Sequence, residues 1–187
     1  MNTTDKMSGE ESLEIITRMI NVAKGNLKGS SFYFLLWGWV SVLGNLGHFC
    51  LMQYTDYPHP YAIWLITIPA WAISMIYGYR QSKRATVHTY ADRSILWVWT
   101  AFAFSAIVLI FSGQLGSLIP PLILVLAGMS TFITGLLLRY KPLIYGGSTF
   151  WIFAAIAFQV TPAYALLVSA VAIAVGYLIP GYILKHS

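Results

Sequence analysis

SLIPPLILVLAGMSTFITGLLLRYK, residues 117–141, carries no charged side chain from Ser117 to Leu138 and then meets Arg139 and Lys141 in quick succession. As a helix rising 1.5 Å per residue, the uncharged part is about 33 Å long, enough to cross a hydrocarbon core of about 30 Å. A soluble stretch of this length would interleave charged or amide side chains at helical spacing, and this one has none. It therefore reads as a membrane span stopped by base. Five further segments have the same character, at about 31–53, 61–79, 94–112, 143–160 and 163–184. Composition agrees: the chain is 58% hydrophobic and 9% charged, where a soluble domain has roughly 25% charged residues.

With six spans drawn, all eleven Lys and Arg residues fall on one side. Lys6, Arg18, Lys24 and Lys28 precede the first span; Arg80, Lys83, Arg84 and Arg93 lie between the second and third; Arg139 and Lys141 lie between the fourth and fifth; Lys185 follows the sixth. The opposite connections, near Thr55 to Pro60, Gly113 to Ser117 and Thr161 to Ala163, have none. Positive charge stays cytoplasmic, which predicts an all-α integral membrane protein with both termini inside and its helices paired as three hairpins. Tyr54, Tyr57, Tyr61 and Tyr164 fall at the outer boundary, and Tyr33, Tyr77, Tyr79, Tyr140, Tyr145, Tyr177 and Tyr182 at or near the inner one, as expected of rings that prefer headgroup depth. Trp64, Trp97 and Trp99 sit near an interface, whereas Trp71 lies mid-span and is expected to pack between helices.

Local chemistry supports these limits. Pro60 and Pro162 suit first-turn positions, Thr161 an N-cap, and Gly113 a helix end in left-handed conformation. Thr89 and Asp92 have capping-box spacing, and Pro69 and Pro180 are expected to interrupt the second and sixth helices.

Residues 1–30 form a separate unit ahead of the 31–187 bundle. Ser8 with Glu11 is a capping box, and Leu13, Ile15, Ile16, Met19, Ile20, Val22, Ala23 and Leu27 share one half of a helical wheel. A cytoplasmic amphipathic helix follows. It would lie in the inner headgroup layer, cover the inner mouth of the bundle, or pair with another copy.

No Asp, Glu, Lys or Arg lies within a span, which argues against a proton-coupled pump, a voltage sensor or a charge-selective pore. The polar residues that do occur are ordered. Gly38, Ser41, Asn45 and His48 recur at steps of three, four and three on one face of the first helix, which should look into the bundle. Interhelical hydrogen bonding and a ligand-lined cavity both account for such a face. Ala165, Ser169, Ala172 and Gly176 make a smooth stripe on the sixth helix, fit either for an oligomer seam or for close packing within one chain.

For metal chemistry the best grouping is His48, Asp56 and His59, with Cys50 nearby, and it matches no metalloenzyme motif. No nucleophile motif or phosphate-binding glycine loop appears, so neither a cofactor nor a catalytic residue is expected. The bases flank apolar segments instead of forming a stripe on a soluble surface, so the net charge of +5 points to lipid headgroups and away from nucleic acid.

Short motifs recur among the hairpins. Trp37-Gly-Trp39, Trp97-Val-Trp99 and Phe150-Trp151-Ile-Phe153 mark the odd helices, and Ile133-Thr-Gly135 to Arg139, Ile179-Pro-Gly181 to Lys185 and Ile76-Tyr-Gly78-Tyr-Arg80 mark the inner ends of the even ones. In these features the chain resembles the small bacterial HdeD-like membrane proteins, themselves six-helix hairpin arrays. The opening, Glu11 to Ile20 followed by Phe32 to Trp39, is similar to another group of small bacterial membrane proteins. The resemblance implies a bacterial inner-membrane location and carries over no catalytic residue.

The functional expectation is a non-enzymatic inner-membrane protein that binds lipid or a partner protein through Arg18, Lys24, Lys28, Arg80, Lys83 and Arg84. A small transporter or channel for a neutral or lipophilic solute, using the Asn45 and His48 face, stays open as an alternative. An intramembrane enzyme comes third, and homo-oligomers are compatible with all three.

Overall fold

A computed structural model describes residues 9–84, 90–113 and 115–186, with backbone alone for 9–30, 84 and 186. The side chains of Arg18, Lys24, Lys28 and Arg84, and the Thr89 cap, lie outside the described residues. Every described element is helical. α1 runs unbroken over Gly9–Tyr54, α2 over Thr67–Arg84 after a 3-10 segment at Pro60–Ile66, and α3 over Tyr90–Phe111. Next come α4 (Ile119–Leu137), α5 (Lys141–Ala157) and α6 (Pro162–Ile173), with a π-helical turn at Ala174–Leu178 leading into α7 (Ile179–His186).

Five segments are long and apolar enough to cross a membrane: Ser31–Tyr54, Pro60–Lys83, Tyr90–Phe111, Gly116–Leu137 and Pro162–Lys185. The remaining helix, α5, has 17 residues, and one more turn follows it, with the Phe158 and Gln159 amides bonded to Ala154 and Ile156 carbonyls at 3.0 and 2.9 Å.

The two interrupted helices have a common cause. Pro69 cannot donate to the Leu65 carbonyl and its ring crowds that position, so regular α-helix begins only at Thr67. The Thr67 hydroxyl compensates by donating to the Trp64 carbonyl at 2.7 Å. Pro180 likewise cannot serve the Gly176 carbonyl, and the wide turn just before it, closed by an Ile179 amide to Ala174 carbonyl bond, absorbs the mismatch. Thr161 stands at the N-cap of α6 with Pro162 behind it, but its side chain makes no capping bond. Gly113 takes φ +68° where α3 ends.

α4 and α5 make the closest pair, across the 138–140 turn, and α1 packs mainly on α6 and α7. Small residues allow this. A Cβ on Gly147 would stand 2.5 Å from the Phe132 backbone nitrogen, one on Gly135 2.7 Å from the Ile144 nitrogen, and one on Gly146 2.5 Å from the Gly176 carbonyl oxygen. Backbones at such separations have no room for a methyl group. α2 and α3 are peripheral: α2 packs on α1, α3 on α4, and neither packs along the other. Among the described residues α3 buries none and α2 buries Ala70 alone.

The α4–α5 turn closes with a Schellman pattern, the Tyr140 amide to the Gly135 carbonyl at 2.9 Å and the Arg139 amide to the Leu136 carbonyl at 3.1 Å. Arg139 fills the position that favours glycine, at φ 52°. Arg139→Gly should therefore raise the unfolding free energy by about 1 kcal/mol, read as a later midpoint in a denaturing-detergent titration. An unchanged or earlier midpoint would mean that the arginine side chain offsets the strain.

Candidate functional site: the polar face of α1 and the basic helix ends

Two places hold the polar side chains expected to matter. The first is α1, whose neighbours are fixed by named contacts. Toward α2 and the 3-10 segment it presents Trp37, whose indole donates to the Ser74 hydroxyl at 3.1 Å, with Gly44 against the Trp64 ring and Gly47 against Ile63. Toward α7 and the π turn it presents Gly38 against Leu178, Phe34 against the Tyr177 ring, and Trp39, whose indole donates to the Tyr182 hydroxyl at 3.1 Å. The Trp37-Gly-Trp39 motif thus ties α1 to two neighbours, with glycine letting the second approach.

At about 100° per residue, Ser41 and His48 fall between these two contact directions, and Asn45 falls at the edge of the second. Gly38, Ser41, Asn45 and His48 do share one face, but with different surroundings. Gly38 is sealed by the π turn. Asn45 is 3% exposed and its Nδ2 donates to the Ser41 carbonyl at 2.8 Å. His48 is part-buried and its Nδ1 accepts the Trp64 indole proton at 3.2 Å. An indole N–H only donates, so Nδ1 is the bare nitrogen and Nε2 carries the ring proton.

The π turn sits deeper in the bundle. Tyr177, placed by sequence at or near the inner boundary, is 5% exposed and faces the other helices. Its ring touches Phe34, Trp99 and Phe150. Its hydroxyl lies 3.1 Å from Thr131 Oγ1, which itself lies 2.6 Å from the Ala127 carbonyl oxygen. One proton per hydroxyl makes Thr131 the donor to Ala127 and Tyr177 the donor to Thr131. Four helices and the π turn meet at this ring. The Ala165, Ser169, Ala172 and Gly176 stripe is buried inside the same chain, so it serves internal packing. Trp71 departs from expectation: it is 59% exposed, because α2 offers only one side to the bundle.

The second place is the set of helix ends. Arg80 and Lys83 on α2, Arg93 on α3, Arg139 and Lys141 at the α4–α5 turn, and Lys185 on α7 are all exposed. The Lys83 ammonium stands 4.6 Å from the Tyr79 ring centroid. Tyr140, beside Arg139, donates to the Pro180 carbonyl at 3.4 Å, and burial pushes its phenol pKa above the ordinary value, so the donor proton is retained. Of the metal grouping, His48 is engaged by Trp64, and His59 Nδ1 pairs with the Tyr61 hydroxyl at 2.8 Å. Among the described residues no three His, Cys, Asp or Glu side chains gather as a metal set.

The adjacent Gly146 and Gly147 were not singled out by sequence. Being about 100° apart on α5, they serve two neighbours, Gly176 and α4. A glycine pair inside an apolar span was the available signal. The chain matches no family model, no curated protein and no solved structure.

Proposed function

We propose that this chain is a non-enzymatic, multi-pass protein of a bacterial inner membrane, with both termini cytoplasmic, that binds anionic lipid headgroups through its basic helix ends. What carries the reading is the exposure of every described base, Arg80, Lys83, Arg93, Arg139, Lys141 and Lys185, beside helix termini. Cations so placed meet the negative surface of the cytoplasmic leaflet, an attraction worth about 1 kcal/mol per residue. Tyr79 supports it by holding Lys83 close to headgroup depth. The peripheral packing of α2 and α3 is a second support, since lipid can reach Arg80, Lys83 and Arg93 from several sides.

The test is thermal unfolding of the full chain in neutral micelles supplemented with phosphatidylglycerol or phosphatidylcholine. Phosphatidylglycerol should raise the midpoint more, with the difference lost in high salt and reduced in the Arg80→Gln, Lys83→Gln, Arg93→Gln triple variant, which keeps Arg139, Lys141 and Lys185. Equal effects of the two lipids, or a full difference surviving in the triple variant, would remove these three bases from the account.

A further inference from the structure

We propose that Asn45 and His48 form the polar end of an intramembrane site for a neutral, single-chain amphiphile bearing a hydroxyl group, seated in the wedge between the 3-10 segment and α6. The site is independent of the basic helix ends. It follows from what the two side chains leave unused. Because a carbonyl accepts only from the amide N–H, the bond to Ser41 fixes the Asn45 side chain and turns Oδ1 away from it. That oxygen has no hydrogen-bond partner among the described residues. Nor is it sealed, because no fully enclosed side-chain nitrogen or oxygen among the described residues lacks a partner. Oδ1 therefore borders the small accessible surface that Asn45 retains. The same reasoning applies to His48: Nδ1 is occupied by Trp64, and the Nε2–H has no partner among the described residues and is accessible.

An acceptor and a donor three residues apart on one helix face stand about 5–6 Å from each other at their Cβ atoms. A hydroxyl group is both donor and acceptor, so it can give its proton to Asn45 Oδ1 and receive one from His48 Nε2. An alkane can do neither, and a carboxylate would meet the Asn45 oxygen as a second acceptor. At this depth α1 is flanked by the 3-10 segment through Trp64 and Ile63, and neither that segment nor α2 packs along α6. Depth also fits. Asn45 and His48 lie about 14 and 9 Å below Tyr54, the end of the span, at 1.5 Å per residue, where hydrocarbon surrounds a small uncharged headgroup.

The full-length protein, reconstituted in phosphatidylcholine nanodiscs, would be photolabelled with a diazirine-bearing hexadecanol. The expected labels fall on α1, the 3-10 segment or α6 within the wedge, unlabelled hexadecanol displaces them, and equal hexadecane does not. Loss of one good hydrogen bond corresponds to about tenfold weaker binding, so Asn45→Leu should cut labelling about tenfold. Labels scattered over the lipid-facing surface, displacement by hexadecane as effective as by hexadecanol, or undiminished labelling of folded Asn45→Leu would each overturn the proposal. The alkane comparison uses the unaltered chain and decides the matter even if Asn45→Leu does not fold.

Discussion

Replacing Gly147 by alanine is expected to lower the unfolding free energy by about 3 kcal/mol. The added Cβ would stand 2.5 Å from the Phe132 nitrogen and 2.8 Å from its Cα, and both are backbone atoms of α4. A helix backbone cannot turn aside as a side-chain end can, so α4 and α5 must separate along their length. That loosens the closest helix pair in the molecule. Gly38 provides the comparison. Its added Cβ would meet the Leu178 side chain, 2.6 Å from Cδ2, and a new leucine rotamer can relieve much of that clash. Denaturing-detergent titration of both variants should therefore separate them, with Gly147→Ala unfolding much earlier. Equal, small effects would mean that α4 and α5 do not approach as described.

Phe150→Ala is the second large effect, about 3 kcal/mol. Phe150 is 0% exposed, and its ring sits 5.0 Å from that of Tyr177 at 85°, an edge-to-face pair. Its far edge fills the space left by Gly176, where an added Cβ would stand 2.7 Å from Cζ. Inside a bilayer the loss is mostly packing, because lipid tails are as apolar as the core. The cavity should nonetheless persist, since the glycine contacts on either side already hold the backbones at their limit and leave little room to collapse. Unfolding of Phe150→Ala and Phe150→Leu in the same titration checks this, with leucine recovering more than half of the loss. If alanine and leucine were equally harmless, Phe150 would not be central to the core.

The spans were readable from sequence because length and the absence of charge decide them locally, and five of the six expected segments are long and apolar enough to cross a membrane. The boundaries at Tyr54, Pro60, Gly116, Pro162 and Lys185 fall within a few residues of expectation. Which side of a helix packs was less readable. Trp71 and Tyr177 were both placed by depth, yet depth says nothing of azimuth in a helix apolar all round. Trp71 faces outward because α2 has one neighbour, while Tyr177 faces inward because the π turn before Pro180 directs it toward Thr131. The polar face of α1 was legible as a face through its spacing. Its division into a sealed residue, Gly38, and two residues with unused hydrogen-bonding atoms, Asn45 and His48, depends on partners far away in sequence, Leu178 and Trp64.

The central claim, that the basic helix ends share the cytoplasmic side of the membrane, is tested most directly by cysteine accessibility in intact bacterial cells. The chain has a single cysteine, so a Cys50→Ser background leaves one introduced thiol at a time. The account predicts that His59→Cys reacts with a membrane-impermeant maleimide in intact cells, while Arg139→Cys reacts only after the inner membrane is permeabilised. Labelling of Arg139→Cys in intact cells, with His59→Cys protected, would invert the molecule and contradict the account.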